Sequence, residues 1–329
     1  MKLLNPMSEI LRNIRTRSLG AVLLGASMAA VSAPALAETP VEVLVEGTVH
    51  QALFAIDFVG DKGMAVGDDG EVQATEDGGK TWKQAKLPTD MAMLGLDFDP
   101  GRILVVGQAG VVMRSDAPGK WEKVDSDTDK RLFSVSANSN GFAVAVGEFG
   151  AIILSNDGGS TWQYQEMDWL EIGTDGGAEP HLYSVFVGED DVVTLVGEFG
   201  LILRSMDKGQ SWNVVNMAEA SLFAIEIRDD GKGFAVGQDG YALKTRDRGE
   251  TWEALDVGSK AILNGVHSSS NGHVVVSAMR EMMISEDGGE TWRALDNIEV
   301  TTVWYVGVSA SSNGVLAVGQ GGRILKVGS

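Results

Sequence analysis

A short apolar strand ending in a glycine-anchored turn recurs seven times along the 329 residues. The turn glycine stands at Gly67, Gly107, Gly147, Gly197 and Gly237, is replaced by Ser277, and returns at Gly319, in steps of 40, 40, 50, 40, 40 and 42 residues. A unit of this size built from short strands cannot bury its own faces and must stack on its neighbours. A period of about 40–45 residues made of such strands specifies a β-propeller with one four-stranded blade per repeat. The innermost strands read LFAIDF from Leu53, MLGLDF from Met93, LFSVSA from Leu132, LYSVFV from Leu182, LFAIEI from Leu222, ILNGVH from Ile262 and VWYVGV from Val303. Seven of them predict an all-β, seven-bladed propeller of four-stranded antiparallel blades.

The third and fourth strands of most repeats are joined by TEDGGKTW from Thr75, SNDGGSTW from Ser155, SMDKGQSW from Ser205, TRDRGETW from Thr245 or SEDGGETW from Ser285. This Asp-box has a structural chemistry. Asp77, Asp157, Asp207, Asp247 and Asp287 are placed to accept hydrogen bonds from turn amides, and the glycines two positions later to take positive φ. Trp82, Trp162, Trp212, Trp252 and Trp292 are expected to wedge between adjacent blades, as is Trp121 in the degenerate copy SDAPGKW. Of the eight tryptophans, only Trp169 and Trp304 need another account.

The first 37 residues read as a secretory signal. Lys2, Arg12, Arg15 and Arg17 make a basic start, Leu19 to Ser32 is apolar, and Ala35-Leu36-Ala37 is a small-residue cleavage site. Thr16 separates Arg15 from Arg17, so the general secretory route is expected rather than the twin-arginine route. The expected location is the periplasm, with an uncleaved N-terminal anchor as the alternative. The chain has no cysteine, which excludes disulfides and an N-terminal thioether lipid. Without the signal, 22 Lys and Arg stand against 45 Asp and Glu. So acidic a chain disfavours nucleic acid and anionic lipid as partners, and no direct membrane insertion is expected after cleavage. Residues 38–329 are read as one propeller domain.

The seventh repeat stops at Ser329, before any Asp-box or fourth strand. An open edge would result. Val41-Glu42-Val43-Leu44-Val45 has the composition of a strand and is expected to close the ring as the outer strand of blade seven.

The stretches AVGEFGAIILSNDGGSTW from Ala145, LVGEFGLILRSMDKGQSW from Leu195 and AVGQDGYALKTRDRGETW from Ala235 resemble the photosystem II stability and assembly factor family of BNR-repeat propellers. That resemblance implies a non-enzymatic, exported seven-bladed propeller that holds a membrane-protein complex or its assembly intermediates. Members in non-photosynthetic bacteria resemble periplasmic companions of transporters of the resistance-nodulation-division type. Photosynthetic members carry an arginine-rich patch, whereas here Arg114, Arg204, Lys244 and Arg323 are scattered.

Function is expected where the period breaks. The 50-residue step before blade four comes from an acidic, glycine-rich insertion from Met167 to His181, holding Asp168, Trp169, Asp175 and Glu179. Insertions on one face of a repeat protein mark its binding face. The neighbouring corners hold Glu148-Phe149-Gly150 and Glu198-Phe199-Gly200. Exposed aromatics anchor interfaces, so Trp169, Phe149 and Phe199 are the expected anchors. Glu148, Glu198, Asp168, Asp175 and Glu179 supply charge for a protein partner with a basic surface.

No metal or cofactor is expected. Asp125-Ser126-Asp127-Thr128-Asp129 fails as an EF-hand, since Lys130 stands at the glycine position and Ser136 at the bidentate glutamate position. GDDGE from Gly67 is read as a turn, and His50, His181, His267 and His273 show no ligand spacing. The alternative class is an Asp-box glycoside hydrolase, or a carbohydrate- or cation-binding propeller. A glycosidase needs two carboxylates about 5–10 Å apart, and a sialidase-like design needs an Arg-Ile-Pro signature that this chain lacks and one of Tyr164, Tyr183, Tyr241 or Tyr305 as nucleophile.

Overall fold

In the computed structural model, residues 41–117 and 119–328 are described; the expected signal at 1–37 lies outside them. They form seven four-stranded antiparallel sheets. Blade four is representative, with strands Leu182–Val187, Val193–Gly197, Ile202–Ser205 and Asn213–Asn216 in spatial order from axis to rim. Its second strand is buried at every position, as a run of Val, Thr and Leu covered on both faces must be. The outer strand, Asn213–Asn216, is half exposed.

Each of the seven inner strands carries a bulge near its start, as between Leu53 and Ala55 and between Leu182 and Ser184. A bulge re-aims the extra residue. Here that residue is Phe54, Leu94, Phe133, Tyr183, Phe223, Asn264 or Val306, and on consecutive inner strands Phe133, Tyr183 and Phe223 lie ring beside ring. The sixth and seventh inner strands begin at Leu263 and Tyr305 rather than at Ile262 and Val303. Ile262 instead belongs to the blade connection, where its carbonyl accepts from Met279 N at 3.0 Å. Trp304 bridges to Met279 and stacks on Phe54 at 6.2 Å, which accounts for one of the two unassigned tryptophans.

The core is divided among the blade interfaces. Leu104 and Val106 of blade two pack with Ala143, Ile153 and Trp162 of blade three. Val196 and Ile202 of blade four pack with Leu243 and, at the edge, Trp252 of blade five. Trp82, Trp121, Trp212 and Trp292 take the same place, each in a cluster shared with the preceding blade. Between blades six and seven no Asp-box tryptophan is available, and Tyr305, Val41 and Val43 fill the space. The strand Val41–Val45 runs antiparallel to Ile324–Val327, with Val41 opposite Val327 and Val43 opposite Leu325, and is the fourth strand of that sheet. Leu53 and Ile56 of blade one meet Leu316 and Val318 of blade seven.

Side chains also stitch neighbouring inner strands together. Asp57 accepts from Phe98 N at 2.9 Å, Asp97 from Ala137 N at 2.8 Å, and Ser136 from Val187 N at 3.1 Å. Burial, and then the nearby Asp97 charge, push the Asp57 carboxyl up to about 7.

Candidate partner-binding face

Alternation along each blade gives the propeller two unlike faces. Every inner strand starts at the face that carries the blade connections and the corners between second and third strands. The opposite face carries the Asp-boxes and the turns between first and second strands.

The Asp-box face is locked by hydrogen bonds within each turn. In the first box Thr81 N and Thr81 Oγ1 donate to Asp77 at 2.9 and 2.6 Å, and Thr75 Oγ1 accepts from Gly79 N at 3.0 Å. The same pattern recurs around Asp157, Asp207, Asp247 and Asp287. These bonds stabilise the carboxylate form, foremost the one from the Thr or Ser hydroxyl. They hold Asp77 down to about 2 and keep the other four below the ordinary carboxylate range.

The corner face is built differently. The first corner residue caps the chain entering the inner strand: Arg131 N donates to Glu148 at 2.9 Å, and His181 N to Glu198 at 2.9 Å. The second corner residue is left-handed, with φ of 53, 51, 50, 59 and 55° at Asp69, Ala109, Phe149, Phe199 and Asp239. A bulky residue is unfavourable there. Phe149 and Phe199 nevertheless hold these positions with 51% and 40% of their surface exposed.

Around them lies an aromatic arc. Phe149 meets the His181 ring edge-on at 4.9 Å, His181 lies 6.1 Å from Phe133, Phe133 5.6 Å from Tyr183, and Tyr183 4.9 Å from Phe223. The arc crosses three blades. Burial, and then the Glu198 charge, push the Tyr183 hydroxyl up to about 12, so it stays protonated. Among the described residues, nine of the twelve exposed large apolar side chains lie on this face, including Met91, Leu170, Met217, Ile262 and Ile298 besides the two phenylalanines.

The insertion supports this face in an unforeseen way. Trp169 is 6% exposed, so it is not an exposed anchor. It begins the short helix Trp169–Ile172 and packs into the cluster between blades three and four with Val146, Ile152 and Leu182. A Cβ on Gly150 would lie 2.5 Å from its ring, so the glycine of the Glu-Phe-Gly corner makes room for the indole. Asp168 caps that helix, accepting from Leu170 N and Glu171 N at 3.1 and 3.0 Å. Leu170 takes the exposed position, at 71%. Asp175 is exposed in the following turn, and Glu179 lies 3.7 Å from Lys130 Nζ, which donates to the Phe149 carbonyl at 2.8 Å. Phe149 and Glu198 thus meet at His181, with Glu148 and Phe199 in the same two corners, whereas Asp168 and Trp169 hold the scaffold beneath.

Sequence reasoning missed Phe133, Tyr183, Phe223 and His181. The signal was the second residue of each inner strand, which is aromatic in four of the seven repeats. It also missed that histidines meet carboxylates both between blades and within one. His267 Nδ1 is 2.9 Å from Glu226, and His181 Nδ1 is 3.5 Å from Glu198. Among the described residues, no three His, Asp or Glu gather as a metal site, and no helix is long and apolar enough to cross a membrane.

Known proteins share this architecture. The photosystem II assembly lipoprotein Ycf48 of Synechococcus sp. (strain CC9902) is 26% identical over 113 residues, which cover 32% of this chain and 34% of that one. A structure titled YCF48 bound to D1 peptide superposes with a TM-score of 0.71 at 21% identity, over 91% of this chain and 100% of that one. A virginiamycin B lyase from Staphylococcus aureus superposes at 0.72 with 13% identity, over 89% and 100%. At such identities the superpositions establish the fold alone. The family model described as photosynthesis system II assembly factor YCF48 matches residues 36–128 and 113–222. Those stretches together span more than half of the sequence, and this chain belongs to that family of BNR-repeat propellers.

Proposed function

We propose that this protein is a non-enzymatic assembly or stability factor, exported to the periplasm, that holds a membrane-protein client against its corner face. One observation carries the reading: two phenylalanines stand exposed at strained left-handed positions, on an apolar aromatic surface set among carboxylates. A fold does not keep bulky aromatics there for its own stability. Carboxylates at the same corners, with Asp175 and Glu179 beside them, favour a client segment that combines apolar side chains with Lys or Arg. Family membership supports the assembly role, and the Ycf48 structure with a D1 peptide supports a protein as client. In its finer form the proposal takes a transporter of the resistance-nodulation-division type as that client.

The test is affinity purification from membranes with the wild type and with Phe149→Asn, Phe199→Asn. Asparagine accepts the left-handed conformation better than phenylalanine, so the double variant keeps its fold. Recovery of the client is expected to fall at least tenfold, in line with the loss of two aromatic anchors. Undiminished recovery by the folded variant would refute the corner face. The identity of the recovered proteins separates a transporter from a photosystem component.

A further inference from the structure

Among the third-strand cations at one equivalent position are Arg114 in blade two, Arg204 in blade four and Lys244 in blade five. Each points toward the Asp-box of the next blade, and two are satisfied there. Arg114 donates to the Gly158 carbonyl at 3.0 Å and pairs with Asp116 at 2.7 Å. Lys244 pairs with Glu290 at 2.7 Å.

Arg204 is left open. Its side chain is 12% exposed, and the nearest paired carboxylate, Glu250, stands at 4.0 Å. Its recorded hydrogen bond goes to the Met206 thioether, a weak acceptor. Its Nε is buried and has no hydrogen-bond partner among the described residues. A guanidinium so far removed from water needs an anionic oxygen.

A cavity of about 260 Å³ lies beside it, between blades four and five on the Asp-box face. Phe186, Val192 and Ile227 form its apolar wall, and Arg228 and Arg248 complete the cationic side. Arg228 is already satisfied by Asp230 and the Ser269 carbonyl. Arg248 lies 3.6 Å from Asp190 and donates to the Asp229 carbonyl at 3.2 Å. The three acids of the lining, Glu189, Asp190 and Asp229, are exposed, and Glu189 is held by Ser139 of blade three. The inner part of the site therefore attracts one negative charge, while its rim repels a second.

We propose that this cleft binds a small monocarboxylate with an apolar or aromatic body. The carboxylate sits on Arg204 and the body lies against Phe186, Val192 and Ile227. The cavity is smaller than the roughly 300–1,000 Å³ of drug-sized sites, which sets the size of the ligand. Arginine suits the task because its planar fork holds both carboxylate oxygens. The site is on the opposite face from the proposed client surface and does not depend on it.

Titration calorimetry of the purified mature protein with phenylacetate, phenylacetamide and inorganic phosphate tests the inference. Phenylacetate is expected to bind saturably in the millimolar range, with the amide and phosphate at least about tenfold weaker, the weight of a charge-assisted hydrogen bond. Arg204→Met is expected to abolish binding while melting at or above the wild-type temperature, since it removes a weakly paired cation whose Nε is buried without a hydrogen bond. Arg204→Lys is expected to bind at an intermediate level. Failure of phenylacetate to bind, equal binding of the amide, tighter binding of phosphate, or unchanged binding by a folded Arg204→Met would each overturn it.

Discussion

The two faces of the propeller are made from the same repeats yet obey different rules. At the Asp-box face each of the five complete turns satisfies itself, with a carboxylate accepting from its own threonine or serine and an indole tucked under the neighbouring blade. At the corner face the backbone geometry is just as regular, but the side chains on it are not: Asp69, Ala109, Phe149, Phe199 and Asp239 share one left-handed conformation. Regular chemistry therefore marks architecture. Irregular chemistry on a regular backbone is where we propose the client docks.

The largest effect that tests this contrast comes from the ring's clasp. Removing residues 38–46 leaves Ile324–Val327 without its outer partner and uncovers the Tyr305 cluster. A loss of about 5 kcal/mol or more is expected from the lost burial and ladder bonds, read as a fall in urea midpoint. An unchanged midpoint would mean that blade seven stands with three strands. Next comes Trp169→Ala, which empties a buried indole site and should cost about 3–5 kcal/mol. If it cost nothing while client recovery fell, the indole would be a contact residue after all.

Smaller effects follow from titration at the Asp-box end of the blades. The Asp57 carboxyl is raised to about 7 in the folded protein, so the native state holds the extra proton between about pH 4 and 7. Its contribution to stability is present at acid pH and is lost as pH rises through that window, and Asp57→Asn should flatten this slope in a series of melts. Asp77, held at about 2, works in the opposite sense: its contribution is present above about pH 4 and is lost as pH falls toward 2. Acid unfolding of Asp77→Asn should accordingly begin with a shallower limb. The smallest change is expected from Phe149→Asn with Phe199→Asn, whose melting temperature should stay level or rise by the equivalent of a few tenths to 1 kcal/mol as left-handed strain is relieved. A clear drop would show that the phenylalanines support the fold.

The fold was largely legible in the sequence, because each blade is one period and every indole in an Asp-box does the same work. The candidate face was only half legible. Glu148, Phe149, Glu198 and Phe199 stood out as corners that depart from the other repeats, and the structure brings Phe149 and Glu198 together at His181. Trp169 misled because burial is decided by Gly150 in the preceding blade, a contact that nothing local reveals. The pairing of Glu226 with His267 was hidden by the 40 residues between them, yet both hold the same place in adjacent inner strands. Superimposing the repeats and reading across them, rather than along the chain, would have found it.

The pairing of Val41–Val45 with Ile324–Val327 also sets a timetable. Among the described strands Val41–Val45 is made before all the others, and it must wait for Ile324–Val327 before its ladder can form. Blades one to six can assemble meanwhile from contacts between neighbours, but the seventh sheet is finished only when the chain through Val327 is present. A chain cut short within its last dozen residues would lack the strand on which Val41–Val45 docks, and would expose the Tyr305 cluster to proteases and to other chains. Closure of the circle thus requires that the chain has been made at least as far as Val327.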